Sequence, residues 1–152
     1  RFVPAVTVVP IGARLTFANN DPWEHHVRGS AAGLAQFSAS SAGGFELRVP
    51  GKIEGQPARS AEVTVNQPGA MLLGCHLHAS MSGYVYVSDS PWTHRTGVDG
   101  GVVFNDVPNG AAQVRVWHAD QLVDLPVRTV NAGDQATQVQ VQLQVVPRRR
   151  RQ

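Results

Sequence analysis

The sequence predicts an all-β fold, an antiparallel sandwich or barrel built from short strands. Three observations carry this prediction: apolar residues that recur with a period of two, turn signals between those runs, and no segment with a convincing helical period. Alternation of this kind sends every second side chain to one face of a strand, so an apolar set meets the core while its neighbours meet water. In chain order, ARLTFAN puts Leu15 and Phe17 on one face, FELRV groups Phe45, Leu47 and Val49, and AEVTV groups Val63 with Val65. AMLLGC reads as a strand that ends at Cys75. GYVYV, alternating Tyr84 and Tyr86 with Val85 and Val87, reads as the returning strand. The segments VPIG, NNDP, SAGG, VPGKIEGQP and NQPG separate these runs and are rich in residues that favour turns. SAAGLAQFSASSAGG is dominated by small residues and holds one loose turn at most.

At SDSPWTHRTG the texture changes, and Pro91 with its polar neighbours reads as a linker. Beyond it come further strand-like runs, GVVFNDVP, AQVRVWHA, LVDLPVRTV and ATQVQVQLQVV. The last alternates strictly, with Val139, Val141, Leu143 and Val145 on one face and Gln138, Gln140, Gln142 and Gln144 on the other. The expected organisation is a first β domain over residues 1–90, a small β unit over 91–147 and a basic tail over 148–152. A unit of that size buries a thin core, so it is expected to lean on the first domain. Trp92 and Trp117 are then read either as packing against that domain or as contacts for an adhesion or scaffold role.

Composition narrows the function classes. The 152 residues are 42% hydrophobic and 16% charged, as in folded rather than disordered chains. The net charge of +2 depends on four arginines at 148–151; without them nine basic residues face eleven acidic ones, so the body is mildly acidic. The RRRRQ tail reads as a solvated end, with docking to an acidic partner as the sharper alternative. No basic patch is interleaved with aromatic residues, so nucleic acid is not an expected partner. No apolar run approaches the ~20 residues that span a bilayer. The one cysteine makes no internal disulfide, and the start at Arg1 without a methionine reads as a processed or trimmed product compatible with export.

The chemistry concentrates in GCHLHASMSG, residues 74–83. Thiolate, imidazole and thioether are the ligands that suit copper in both oxidation states, and a trigonal His₂Cys set with a long axial Met marks electron-transfer copper. Cys75, His78 and Met81 supply three such ligands from one tight turn. His76, adjacent to the cysteine, starts from a strand-like position and points to the opposite side, so it reads as a surface or hydrogen-bonding residue. The fourth ligand comes from the upstream pair His25 and His26 in EHHVR. Taken alone, a cysteine or a methionine is most often core filling; taken together with the upstream histidine, they read as a metal site. Zinc fits less well, because structural zinc prefers closed Cys/His sets without methionine. A two-copper centre would need two bridging cysteines. His94 and His118 have no ligand spacing and read as solvent-facing or locally bonded.

These residues resemble the cupredoxins, whose first histidine follows a strand ending F-x-N and whose other ligands sit in a C-x-x-H-x(2–4)-M loop. FVPAVTVVPIGARLTFANND is similar to the opening of that family, with the strand that normally precedes it lying before Arg1. A closer resemblance is to bacterial plastocyanin-like proteins often labelled methylamine utilization proteins. These combine HHV, GC-x-x-H-x-x-M-x-GY, a D-x-P and a β extension with a WH pair; the pieces here are HHV, GCHLHASMSGY, DSP and GVVFNDVPNGAAQVRVWH. The resemblance implies a Greek-key cupredoxin sandwich followed by a small carboxypeptidase-regulatory or transthyretin-like sandwich. It implies one copper per chain, cycling between Cu(I) and Cu(II), on His25, Cys75, His78 and Met81. Val27 selects His25 by the family's H-N-V pattern and leaves His26 in place of an asparagine that ties the ligand loops together.

The expected function is that of a single-electron carrier and not an enzyme, with no catalytic residues. Its implied partner is a redox protein that docks near His78, among Leu77, Ala79 and Met81. The implied compartment is periplasmic or otherwise exported. The alternative is a copper-handling protein that captures or delivers the ion through the same ligands. An enzyme would need further histidine-rich copper centres, and six histidines with no H-x-H outside HLH do not suggest them.

Overall fold

A computed structural model of the chain describes residues 1–33, 43–121 and 123–145. Most of the small-residue segment and all of the arginine tail lie outside the described residues. Among those described there are β-strands and no α-helix. The strands are β1 (Val6–Pro10), β2 (Ala13–Asn19), β3 (His25–Ala31), β4 (Phe45–Val49), β5 (Arg59–Val65), β6 (Gly69–Cys75), β7 (Ser82–Ser88), β8 (Gly110–Val114) and β9 (Arg128–Ala132). A five-stranded sheet runs in the order β1-β7-β6-β3-β4, and β2 pairs with β5 in a second sheet. The chain passes from the first sheet to the second and back twice, through β1-β2-β3 and β4-β5-β6. That crossing closes the sandwich the alternation predicts. All pairings are antiparallel except β1 with β7, where Val6 stands opposite Tyr84 and Val8 opposite Tyr86.

The core is the apolar face of the period-two runs. Leu15 and Val65 from the β2-β5 sheet meet Met71, Leu73, Val85 and Val87 from the other, with Phe2, Val9, Phe17, Phe45 and Val63 packed around them. Phe17 lies 5.7 Å from Phe45 and 6.2 Å from Phe2, centroid to centroid, the edge and tilted contacts that aromatic rings prefer. Gly29 of β3 is required by this packing: a Cβ there would fall 2.8 Å from the Met71 sulfur and into the Phe45 ring.

Asn19, 3% exposed, closes one end of the sandwich. Its side-chain amide donates to the carbonyls of Trp23 (2.8 Å), Val49 (3.1 Å) and Pro50 (3.1 Å), and its Oδ1 accepts from the Asp21 N–H at 2.9 Å. The turn that leads into β3 is thereby tied to the end of β4. Lys52 N–H adds a bond to the Asp21 carbonyl at 2.8 Å, and Gly51 sits so close to the Pro22 backbone that no side chain fits.

Beyond residue 90 the described residues form one two-stranded sheet, β8-β9. GVVFNDVP and the strictly alternating ATQVQVQLQVV, both expected as strands, carry none over 101–108 and 136–145. Alternation fixes which side chains share a face, but a strand also needs a neighbour for its N–H and C=O groups. Among the described residues neither run is paired into a sheet: Val103 is 79% exposed, and Val141, Leu143 and Val145 are half-buried without a ladder partner. Trp117 does pack on the first unit, 5.5 Å from Tyr84 and 5.9 Å from Tyr86 on the outer side of β7. Trp92 does not; it is 38% exposed and donates through Nε1 to the Asn105 carbonyl. The Arg95 guanidinium donates to the Val6 carbonyl at 3.2 Å. His94 stacks on Phe104 at 5.3 Å, and His118 Nδ1 accepts from the Asp120 N–H, both local contacts.

Replacing Asn19 by alanine takes the donor from the buried Val49 carbonyl and from two part-buried ones, and is expected to destabilise the fold by about 1–3 kcal/mol. Asn19→Asp is expected to be no better, because an ionised carboxylate offers no donor to the three carbonyls. Chemical denaturation of both variants checks this; an unchanged midpoint for Asn19→Ala contradicts the clamp.

Candidate metal centre

The site is built by strand parity. On β3, His25, Val27 and Gly29 turn into the sandwich, while His26, Arg28 and Ser30 turn outward. On β6, Met71, Leu73 and Cys75 turn inward. The register sets Val27 opposite Cys75, so His25 and Cys75 emerge on the same inner face one diagonal step apart. The β6-β7 connection then folds over them. His78 N–H reaches the Cys75 carbonyl at 3.4 Å and Met81 N–H reaches the His78 carbonyl at 2.9 Å, two successive turns that return the His78 ring to the cysteine.

Three donor groups converge as a result. Cys75 Sγ lies 3.7 Å from His25 Nδ1 and 3.6 Å from His78 Nδ1, and the two rings are 4.8 Å apart. Cys75 and His25 are 6% and 7% exposed; His78 is half-buried at the rim. The ligand atoms of these three residues all lie within 4.8 Å of one another. Met81, half-buried, sits at the end of the same loop and lines a surface cavity of about 270 Å³ together with Cys75, Arg28, Leu73 and Ala79.

Electrostatics prepares the sulfur as a ligand. Burial pushes the Cys75 thiol up, but hydrogen bonds from the His78 and His25 rings and from the backbone of His26 and Leu77 outweigh it and bring the pKa down to about 6. His25 moves the other way. Burial opposes its charged form, yet the hydrogen bonds to Asp21 and Cys75 win and raise its pKa. Asp21 Oδ2 lies 2.8 Å from His25 Nε2. The bond from Nε2 to that carboxylate fixes the ring with Nδ1 aimed at the sulfur, as partners behind metal-ligating histidines do; an Nδ1–H there donates to the thiolate, and its loss leaves Nδ1 to take a metal.

Asp21 was not singled out by its sequence; it sits in NNDP, which reads only as a turn. Asn19, by contrast, stands at the N of the F-x-N strand ending. His26 is expected to tie the ligand loops through its side chain; only its backbone spans them here, its carbonyl accepting from the His76 N–H at 3.1 Å. Its side chain lies on the outer face, where it meets Glu46 and His76.

No protein-family model and no curated protein matches this chain. Among solved structures, it is similar to the reduced Cu(I) form at pH 4 of an amicyanin mutant, with 21% identity over 57% of this chain and 72% of that one and a TM-score of 0.40. A second reduced amicyanin mutant gives 21% identity, 55% and 70% coverage and a TM-score of 0.39. A purple cupredoxin from Nitrosopumilus maritimus gives 18% identity, 56% and 79% coverage and a TM-score of 0.37.

In the metal-free chain, Cys75 is expected to deprotonate with a midpoint near pH 6, the thiolate fraction rising as pH rises through that value. His78→Ala removes the foremost group that lowers the pKa and moves the midpoint up toward the usual ~8.5. Thiolate absorbance in the ultraviolet reads both; a wild-type midpoint at the ordinary thiol value contradicts the site's electrostatics.

Proposed function

We propose that the chain is a mononuclear copper protein of the cupredoxin type, with His25, Cys75, His78 and Met81 as the ligands of one ion, and that it carries single electrons. The observation behind this reading is the convergence of one buried, acidified thiol with two Nδ1 atoms at 3.6 and 3.7 Å. That donor set fits copper: a thiolate and two imidazoles, with a thioether at the end of the same loop, suit its softness better than they suit zinc. A bound copper ion supplies one-electron chemistry between Cu(I) and Cu(II).

The protein's own residues provide the rest. The Cys75 thiol is acidified to a pKa of about 6, so its own proton competes only weakly with an arriving metal. Asp21 and the β3-β6 ladder hold His25 and Cys75 in place before any metal binds. Preset ligands resist rearrangement when the charge of the ion changes. The sandwich wall excludes water from His25 and Cys75, whereas His78 is only half-buried. Leu77 beside it is 57% exposed and Ala79 is exposed, an apolar rim against which a redox partner would dock. Among the described residues no helix is long and apolar enough to cross a membrane. We place the protein outside the cytoplasm on the resemblance of its copper loop alone.

Adding Cu(II) to the metal-free chain is expected to give an intense thiolate-to-copper band in the visible. The band is lost in Cys75→Ser and His25→Ala and kept in His26→Ala. Absence of the band, or loss with His26→Ala and survival with His25→Ala, overturns the ligand set. Reduction in the presence of a Cu(I) chelator separates carriage from handling: a carrier keeps its copper and recovers its colour on reoxidation, whereas a delivery protein gives the ion up.

A further inference from the structure

The parity that sends His25 and Cys75 inward sends their chain neighbours outward, and there a second constellation forms. His26 on β3, Glu46 on β4 and His76 just past β6 come from three adjacent segments of the five-stranded sheet. His76 Nε2 lies 3.1 Å from Glu46 Oε1, and His26 Nε2 lies 3.6 Å from Glu46 Oε2, so each carboxylate oxygen faces one imidazole. The two rings are 4.8 Å apart. We propose that His26, His76 and Glu46 form a second cation site, on the outer face of the sheet, for a divalent transition ion of the zinc(II) or copper(II) kind.

Three features carry the proposal. The first is spacing. Donors held ~2.1 Å from one ion at tetrahedral angles stand roughly 3.4 Å apart. Each imidazole stands at about that spacing from one oxygen of the same carboxylate, His76 3.1 Å from Oε1 and His26 3.6 Å from Oε2. The ligand atoms of the trio are all within 4.8 Å of one another, so the widest pair must close by no more than about 1.4 Å, a side-chain rotation. The second is chemistry. Two imidazoles and one carboxylate favour Zn(II), Cu(II) or Ni(II) over Ca(II) or Mg(II), which take oxygen ligands. The third is access. Side-chain exposures of 24% for His26, 39% for His76 and 62% for Glu46 leave room for water or an incoming ligand to complete the coordination. Three protein ligands with an open position make an exchangeable site rather than a closed structural one.

The site shares no ligand with His25, Cys75 and His78, and it stands whether or not they hold copper. A simpler arrangement would be a surface cluster in which Glu46 does no more than accept from the two imidazoles; exposed contacts of that kind contribute little and do not create a metal response. Arg28 distinguishes the two readings. Its charge acts on Glu46, so it supports nothing in a metal site and opposes an incoming cation.

The test is a zinc(II) titration of the full, copper-free chain followed through the imidazole resonances of each histidine. His26 and His76 are expected to shift together and saturate. Glu46→Gln, at a mostly exposed position that should fold normally, is expected to weaken this response by about ten-fold or more, a loss that even indirect metal partners produce. His78→Ala is expected to leave it unchanged, and Arg28→Ala to strengthen it. Zinc that moves only His25 and His78, or a His26 and His76 response indifferent to Glu46→Gln, overturns the proposal.

Discussion

The pairing of Val27 with Cys75 is the constraint on which the rest depends. A strand changes face at every residue, so a slip of one position in this ladder would exchange the inner and outer sets completely. In the observed register His25 and Cys75 face the core and His26 and His76 face solvent. One antiparallel ladder thus sorts four neighbouring side chains, three imidazoles and a thiol, into two groups of different burial and charge. Gly29 secures the register further along β3, since only a residue without a side chain fits between Phe45 and Met71.

On the inner face the dominant interaction is that of a buried sulfur with two imidazoles. A lone buried thiol would stay neutral; here hydrogen bonds overcome burial and the thiolate is favoured before any metal arrives. The opposite shifts of Cys75 and His25 have one origin, the hydrogen bond and opposite charges that each offers the other. Such a cluster is a poor core and a good ligand set. The Asn19 clamp supplies the stiffness that holds it, by tying the Asp21 turn to the end of β4.

Much of this was legible in the sequence. The alternating runs correctly gave β2, β4, β5 and β7, because each has a core face that a second sheet covers. The convergence of Cys75 and His78 was legible because their spacing places them on one turn, at whose end Met81 stands. Asp21 was not, because its role depends on a turn geometry that brings it back over His25, and a turn signal says nothing about what its side chain reaches. Glu46 was equally silent: it is an ordinary outward-facing residue of β4 until β3 and β6 align beside it. The strand-like run at 101–108 and the alternating run at 136–145 show the opposite failure: among the described residues no partner strand takes up their backbone.

The two faces give the account different weights. The outer trio lies at the surface of the sheet, whereas the inner cluster is continuous with the core and its residues are fixed by the same bonds that hold the sandwich. The central claim is therefore that the inner cluster holds one ion in nearly one geometry in both of its oxidation states. X-ray absorption at the copper edge of the loaded protein, oxidised and then reduced, measures this directly. The account predicts one short sulfur and two imidazole nitrogens around copper in both states, at nearly the same distances. Loss of the sulfur or of an imidazole on reduction would contradict it.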